Sequence, residues 1–286
     1  MIIKLGAPTP VVTINPKLHG AWELDATVDD VGRIAETADR LGYDHMTCAE
    51  HIGVPASEAG RRGSRYWDPL ATFGYLAART QRIRFTTLVL VLGYHHPLEI
   101  AKRYGTLDMI SGGRLNLGLG VGTLKEEFDL LGAPFADRGA RADDALRALR
   151  ASLSRRDPFY HGEYYSFEGL TIDPCAVQSQ VPLWIGGRSL LSLRRAVNLA
   201  DGWSPFGVSA AQAVEWMDQV DVPAGFEVIL PPDAVLDPLK EPAAAQDALG
   251  ALVKAGATIA SAGLVHHSLE HYLEQLAALA AVNEAG

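Results

Sequence analysis

Apolar positions along this chain fall into two spacings that take turns. Period-two or continuous apolar runs predict strands over 2–7, 43–49, 82–92, 115–120, 182–187, 201–204, 226–230 and 258–263. Apolar residues three and four apart predict helices over 28–41, 68–80, 97–111, 137–153, 189–200, 210–220, 242–255 and 269–281. The punctuation agrees with the spacing. Thr27 precedes two acids and suits an N-cap, Gly42 stops that helix, and Pro69 and Pro97 stand at helix starts where a missing N–H costs little. Strand then helix, repeated eight times, is the tally of parallel β/α units closed into a (β/α)8 TIM barrel of about 250 residues. An insertion accounts for the looser stretch after Thr123, with its helix over 137–153 and a small strand excursion over 162–167. A doubly wound open sheet has the same alternation and stays as the alternative. No linker of biased composition divides the chain, so a single domain over 1–286 is expected.

Residues 111–123, SGGRLNLGLGVGT, organise the rest. Leu115, Leu117 and Leu119 alternate as on a strand, and Gly118, Gly120 and Gly122 come where that strand ends. Glycines at that place let a backbone approach a ligand, and the following Lys125-Glu126-Glu127-Phe128 would aim free N–H groups at an anion such as a cofactor phosphate. The alternative is a packing turn where a side chain would collide with a neighbouring strand. The string lacks the full dinucleotide fingerprint.

Composition narrows the partners. The 286 residues are 48% hydrophobic, enough for a large core, and a formal charge of −9 is a poor match for a nucleic-acid backbone. Cys48 and Cys175 form no CxxC pair, which fits a reducing compartment and supplies no metal framework, so no metal is expected. Neither a secretion signal nor an apolar run long enough for a membrane span is present, so a soluble cytoplasmic protein is expected.

In a barrel the chemistry sits where strands end and helices begin. Four such ends carry candidates. Glu50-His51 follows the second strand, and an imidazole is the side chain most suited to act there as a general acid or base. Glu50 is adjacent in sequence, and neighbours on a strand point to opposite faces, so their pairing is open. His95-His96 runs into Pro97 and reads as a helix lead-in. Gly120, Val121, Gly122 and Thr123 follow the fourth strand. Gly186, Gly187, Arg188 and Ser189 follow the fifth, where backbone N–H groups, a hydroxyl and a guanidinium could hold a phosphate. Arg61, Arg62 and Arg65 make the 50–67 loop either a solvated surface or an anion-attracting lid. Cys48 reads as core, and Arg138 and Arg141 as surface or interface pairs.

The block from Asp68 to Leu149, which contains SGGRLNLGLGVGT and RGAR, resembles the bacterial luciferase-like superfamily of flavin- and deazaflavin-dependent oxidoreductases. GEYYSFEGLTIDP, VPLWIGGRS and ADGW match the same superfamily in order, and the likeness fades after Trp203. The resemblance implies a TIM-type barrel that binds coenzyme F-420 or FMN at its C-terminal mouth, acts on a small molecule and commonly forms homodimers. It places Gly120 to Thr123 and Gly186 to Ser189 on the cofactor, a non-prolyl cis peptide and bulge at Leu88-Val89 beneath the ring, and His51 near the hydride-transfer centre. FMN-dependent relatives often have arginine where Val121 stands, which favours the deazaflavin. Glu50-His51, where deazaflavin members commonly have Asp-His, favours FMN. The expectation is an F-420-dependent oxidoreductase with His51 and Glu50 as catalytic residues. The alternatives are an FMN-dependent monooxygenase using reduced flavin and O2, and a non-catalytic flavin-binding barrel.

Overall fold

The computed structural model describes residues 2–14, 16 and 19–286. Its strands are β1 (Lys4–Ala7), β2 (His45–Cys48), β3 (Arg84–Thr87), β4 (Leu90–Val91), β5 (Leu115–Gly120), β6 (Tyr160–His161), β7 (Ser166–Phe167), β8 (Leu183–Gly187), β9 (Gly202–Pro205), β10 (Glu227–Leu230) and β11 (Ile259–Ser261). The helices are α1 (Val28–Arg40), α2 (Ala56–Arg62), α3 (Pro69–Arg79), α4 (Pro97–Ser111), α5 (Lys125–Leu131), α6 (Arg138–Ser152), α7 (Leu190–Leu199), α8 (Ala210–Met217), α9 (Pro242–Lys254) and α10 (Leu269–Ala285).

The main sheet runs β3-β2-β1-β11-β10-β9-β8-β5-β4, every pairing in it is parallel, and β3 also pairs with β5. That last pairing closes the ring. Because β3 and β4 both lie along β5, they share one position, and the barrel has eight. The open sheet is thereby excluded. The insertion holds α5, α6 and the antiparallel β6–β7 ribbon, between β5 and β8. No helix among the described residues is long and apolar enough to cross a membrane.

Local chemistry explains the element ends. Thr27 accepts from the Asp30 amide and Asp30 answers to the Thr27 amide, a reciprocal cap on α1. Asp68 caps α3 ahead of Pro69 by accepting from the Ala71 amide, and Gly112 ends α4 in the left-handed region at φ 70°. The apolar run over 82–92 is where the sequence pattern misleads. It is one strand by hydropathy, yet β3 stops at Thr87, the Leu88–Val89 peptide is cis, and a short β4 resumes before a 3-10 turn over Leu92–Tyr94.

Two apolar regions meet at the sheet. The larger, with Leu115, Leu117 and Leu119 fully buried, lies between strands and helices. The smaller, Trp184, Ile229 and Ile259, fills the ring itself. His45 stands edge-on to Trp184, and a Cβ on Gly6 would lie 2.5 Å from the His45 ring. At the N-terminal rim, Asp44 receives Arg84 at 2.6 Å and the His45 ring at 2.9 Å. Burial works against the charge of Asp44, and those partners overcome it, holding its carboxyl at about 2.

Toward the other rim the ring is lined by glycine for a reason visible in the contacts. A Cβ on Gly120 or on Gly186 would strike the Val89 side chain, at 2.6 and 2.3 Å. One on Gly118 would lie 1.9 Å from the Thr87 carbonyl oxygen. The bulge therefore fits only because its neighbours have no side chains. Gly118→Ala has backbone, not a flexible side chain, in its way. It is expected to lower the unfolding free energy by about 2 kcal/mol in a denaturant titration, and a loss below about 0.5 kcal/mol would show that the strands can part without cost.

Candidate functional site

A cavity of about 440 Å3 opens at the C-terminal mouth, between the ends of β2, β4, β5 and β8. Its walls include Glu50, His51, Leu88, Val89, Gly120, Val121, Gly122, Thr123, Gly186, Gly187 and Arg188. Of the residues expected to be catalytic or to lie on the cofactor, only Ser189 is absent from these walls. Ser189 caps α7, accepting from the Ser192 amide at 3.3 Å, and its carbonyl accepts the Ser192 hydroxyl.

His51 is held by a residue that the sequence pattern did not single out for it. Its Nδ1 lies 2.7 Å from Oε2 of Glu127, whose side chain is completely buried. Tyr94 donates its hydroxyl to the same oxygen at 2.8 Å, and the amides of Ile52 and Gly53 donate to Oε1 at 2.8 and 3.2 Å. Burial opposes ionisation of Glu127, but the hydrogen bonds from His51, Tyr94 and Gly53 prevail and hold its carboxyl below the usual range. An ionised Glu127 only accepts, so Nδ1 of His51 carries a proton and Nε2 is left without a protein partner among the described residues. Tyr66 stacks edge-on against the imidazole, ring centres 4.5 Å apart. Burial, followed by the bond to Glu127, pushes the Tyr94 phenol above its ordinary value.

Glu50 does something else. Its carboxylate accepts from the Val91 amide at 2.8 Å and meets Nε2 of His95 at 2.7 Å, while its own amide donates to the Val89 carbonyl at 3.2 Å. It grips the bulge from both sides and does not pair with His51. Burial alone would lower the pKa of His95, and the Glu50 carboxylate more than reverses this, so the imidazole lies above the ordinary histidine value. His96 caps α4 through the Leu98 amide. His95 is thus paired within the fold, and His96 stands at the start of α4 as the lead-in read from the sequence.

The loop after β5 is braced from behind. Gly122 adopts φ 75°, and its carbonyl accepts Nε of Arg138 at 3.1 Å, with that guanidinium 3.9 Å from the Phe135 ring centre. Arg138 is therefore not the surface pair expected of it, whereas Arg141 does pair, with Asp137. The phosphate expected at Lys125–Phe128 is poorly served there, since α5 has only seven residues and carries Glu126 and Glu127 in its first turn. Arg188, in contrast, is exposed on the cavity rim with no partner among the described residues, next to the N-terminus of α7. Arg61 and Arg62 also reach the cavity wall, from α2, and share Glu58 as counter-ion.

The profile of the luciferase-like monooxygenase family matches residues 11–281. An uncharacterized protein of Mycobacterium tuberculosis is 33% identical over 183 residues, covering 59% of this chain and 62% of that protein, so the match spans less than two thirds of the relative. Among solved structures, the coenzyme F-420-dependent tetrahydromethanopterin reductase of Methanopyrus kandleri superposes with a TM-score of 0.70 at 15% identity, covering 98% of both chains. The oxygenating constituent of 3,6-diketocamphane monooxygenase of Pseudomonas putida, a type II Baeyer-Villiger enzyme in complex with FMN, gives 0.69 at 15%, covering 98% of this chain and 97% of that one.

Proposed function

Because the chain belongs to the luciferase-like monooxygenase family, we propose that it is an oxidoreductase that moves a hydride between coenzyme F-420 and a small organic substrate. The observation that carries this reading is His51, oriented by a buried carboxylate on the wall of the 440 Å3 cavity and left with one unengaged nitrogen. The cavity's residues fit a phosphate-bearing ring system. Arg188 and the first amides of α7 offer charge and N–H groups to a phosphate, and the half-buried Leu88 and Val89 offer an apolar floor to a ring. When bound, the coenzyme supplies the hydride chemistry, and the protein supplies orientation and electrostatics.

Within that division the chain's own parts have separate tasks. Nε2 of His51 gives or takes the proton that accompanies the hydride, Glu127 positions the imidazole, and Glu50 positions the bulge. Gly120, Val121, Gly122 and Thr123 shape the wall beside the ring. Val121 supports the deazaflavin, since an uncharged side chain brings no cation to an FMN phosphate.

The second reading is an FMN-dependent monooxygenase using reduced flavin and O2. The likeness to the FMN-bound Baeyer-Villiger enzyme and Glu50 in place of aspartate favour it. Fluorescence titration of the purified protein with F-420 and with FMN separates the two: F-420 should bind at micromolar concentration, and FMN binding with none of F-420 would overturn the first choice. In the same titration Arg188→Ala should weaken F-420 binding about tenfold, more at low salt than at high, and an unchanged affinity would remove Arg188 from the phosphate site.

A further inference from the structure

A second cavity, of about 150 Å3, lies at the same mouth on the side of β1 and β11. It is walled by the turn after β1 (Pro8, Thr9, Pro10), by Gly263 and Leu264 after β11, and by His266 and Tyr272. Thr13 lines both this cavity and the larger one, so the two adjoin.

One hydrogen-bond donor here has no acceptor among the described residues, and a second has a carboxylate beside it only beyond hydrogen-bond distance. Thr9 is 7% exposed, and its hydroxyl oxygen has no partner among the described residues. A buried hydroxyl in that state is destabilising, and native proteins rarely retain one without use. The other donor is on His266. The indole N–H of Trp22 donates to Nδ1 of His266 at 3.0 Å, and an indole nitrogen can only donate, so a neutral His266 carries its proton on Nε2. The nearest carboxylate oxygen to Nε2, Oε1 of Glu23, is 3.6 Å away, too far for a hydrogen bond. Glu23 is itself engaged by the amides of Val11 and Gly20 at 2.7 and 2.8 Å. Those bonds fix the turn, where Val11 has φ 73°, unusual for a β-branched residue.

We propose that this cavity seats a small uncharged carbonyl compound, whose oxygen accepts from the Thr9 hydroxyl and from Nε2 of His266. A carbonyl oxygen has the two lone pairs this needs. The Glu23 carboxylate in the wall opposes an anion, and Pro8, Pro10, Val235 and Leu264 give the lining an apolar side, with Thr13 and His19 beside them. The volume, about five liquid waters at ~30 Å3 each, admits a molecule the size of cyclohexanone. Its assignment as the substrate's seat rests on the cofactor occupying the adjoining cavity as proposed above.

The test uses the cofactor-free protein and the Trp22 indole N–H signal in 1H–15N spectra, assigned with Trp22→Phe. Cyclohexanone should shift that signal saturably and cyclohexanecarboxylate should not. Thr9→Val should weaken cyclohexanone binding about tenfold and raise the melting temperature by about 2 °C, because the orphan hydroxyl is gone. Thr9→Ser should restore the affinity. No saturable shift with cyclohexanone, equal binding by Thr9→Val, or tighter binding of the carboxylate would each overturn the assignment. Cyclohexanone binding in a protein that binds neither F-420 nor FMN would instead overturn the cofactor reading and leave the carbonyl site standing.

Discussion

His51→Ala is expected to lower turnover by about 10²- to 10⁴-fold, the range of a lost general acid or base, while the affinity for the cofactor stays within about twofold of the parent. The split follows from geometry. His51 contributes one ring to a cavity whose proposed floor and anion-binding rim lie on other segments, at Val89 and at Arg188. Removing it takes away a proton carrier without reshaping the ring site. The measurement is steady-state kinetics beside a fluorescence titration on the same preparation. Unchanged turnover would take His51 out of the mechanism, and a parallel loss of affinity would make it a binding residue.

Glu127→Ala should be costly in two ways. It leaves His51, Tyr94 and two backbone amides without their acceptor in a fully buried place. Breaking such a cluster by deleting one member costs about 3 to 5 kcal/mol, readable as a lower denaturation midpoint. Turnover should fall at least about 10²-fold, as when an imidazole loses its orienting carboxylate. Glu127→Gln separates the two effects, because it keeps the shape and loses the charge. The pH dependence of its stability has a definite sign. The carboxyl is held below its ordinary value, so its contribution is present above about pH 4 and is lost as the pH falls through the lowered value. Glu127→Gln lacks that component, and its stability should decline less steeply on acidification below about pH 4. An identical acid decline in both proteins, with turnover intact, would reduce Glu127 to a packing residue.

The barrel was legible because its information is local. Period-two runs, helical spacing, Thr27, Pro69, Pro97 and Gly112 each act within a few residues, and the alternation they produce admits few topologies. What hydropathy could not reveal was the interruption in the 82–92 run. Leu88 and Val89 are as apolar as their neighbours, and only the resemblance to the luciferase-like superfamily pointed to a bulge there. The glycines at 118, 120 and 186 have a packing use that no single segment displays, since Thr87 and Val89 come from another strand.

Long-range partners were the main omission at the site. Glu127 was read only as part of the Lys125–Phe128 stretch facing an anion, and it meets His51, 76 positions earlier, because the closed ring brings the ends of β2 and β5 to one mouth. Arg138 was read as helix surface for the same reason, although it braces Gly122. Glu50 was left open as a partner for His51, because neighbours on an extended chain point apart, and its carboxylate goes to Val91 and His95 instead.

The central claim, hydride transfer with a deazaflavin, is tested most directly by turnover without oxygen. The protein is incubated anaerobically with reduced F-420 and a panel of small ketones and aldehydes, and with oxidised F-420 and the matching alcohols, while the deazaflavin absorbance is followed. The account predicts a change in absorbance matched one-to-one by product, slowed at least about 10²-fold by His51→Ala. Turnover only with reduced FMN, accompanied by O2 consumption, would contradict it.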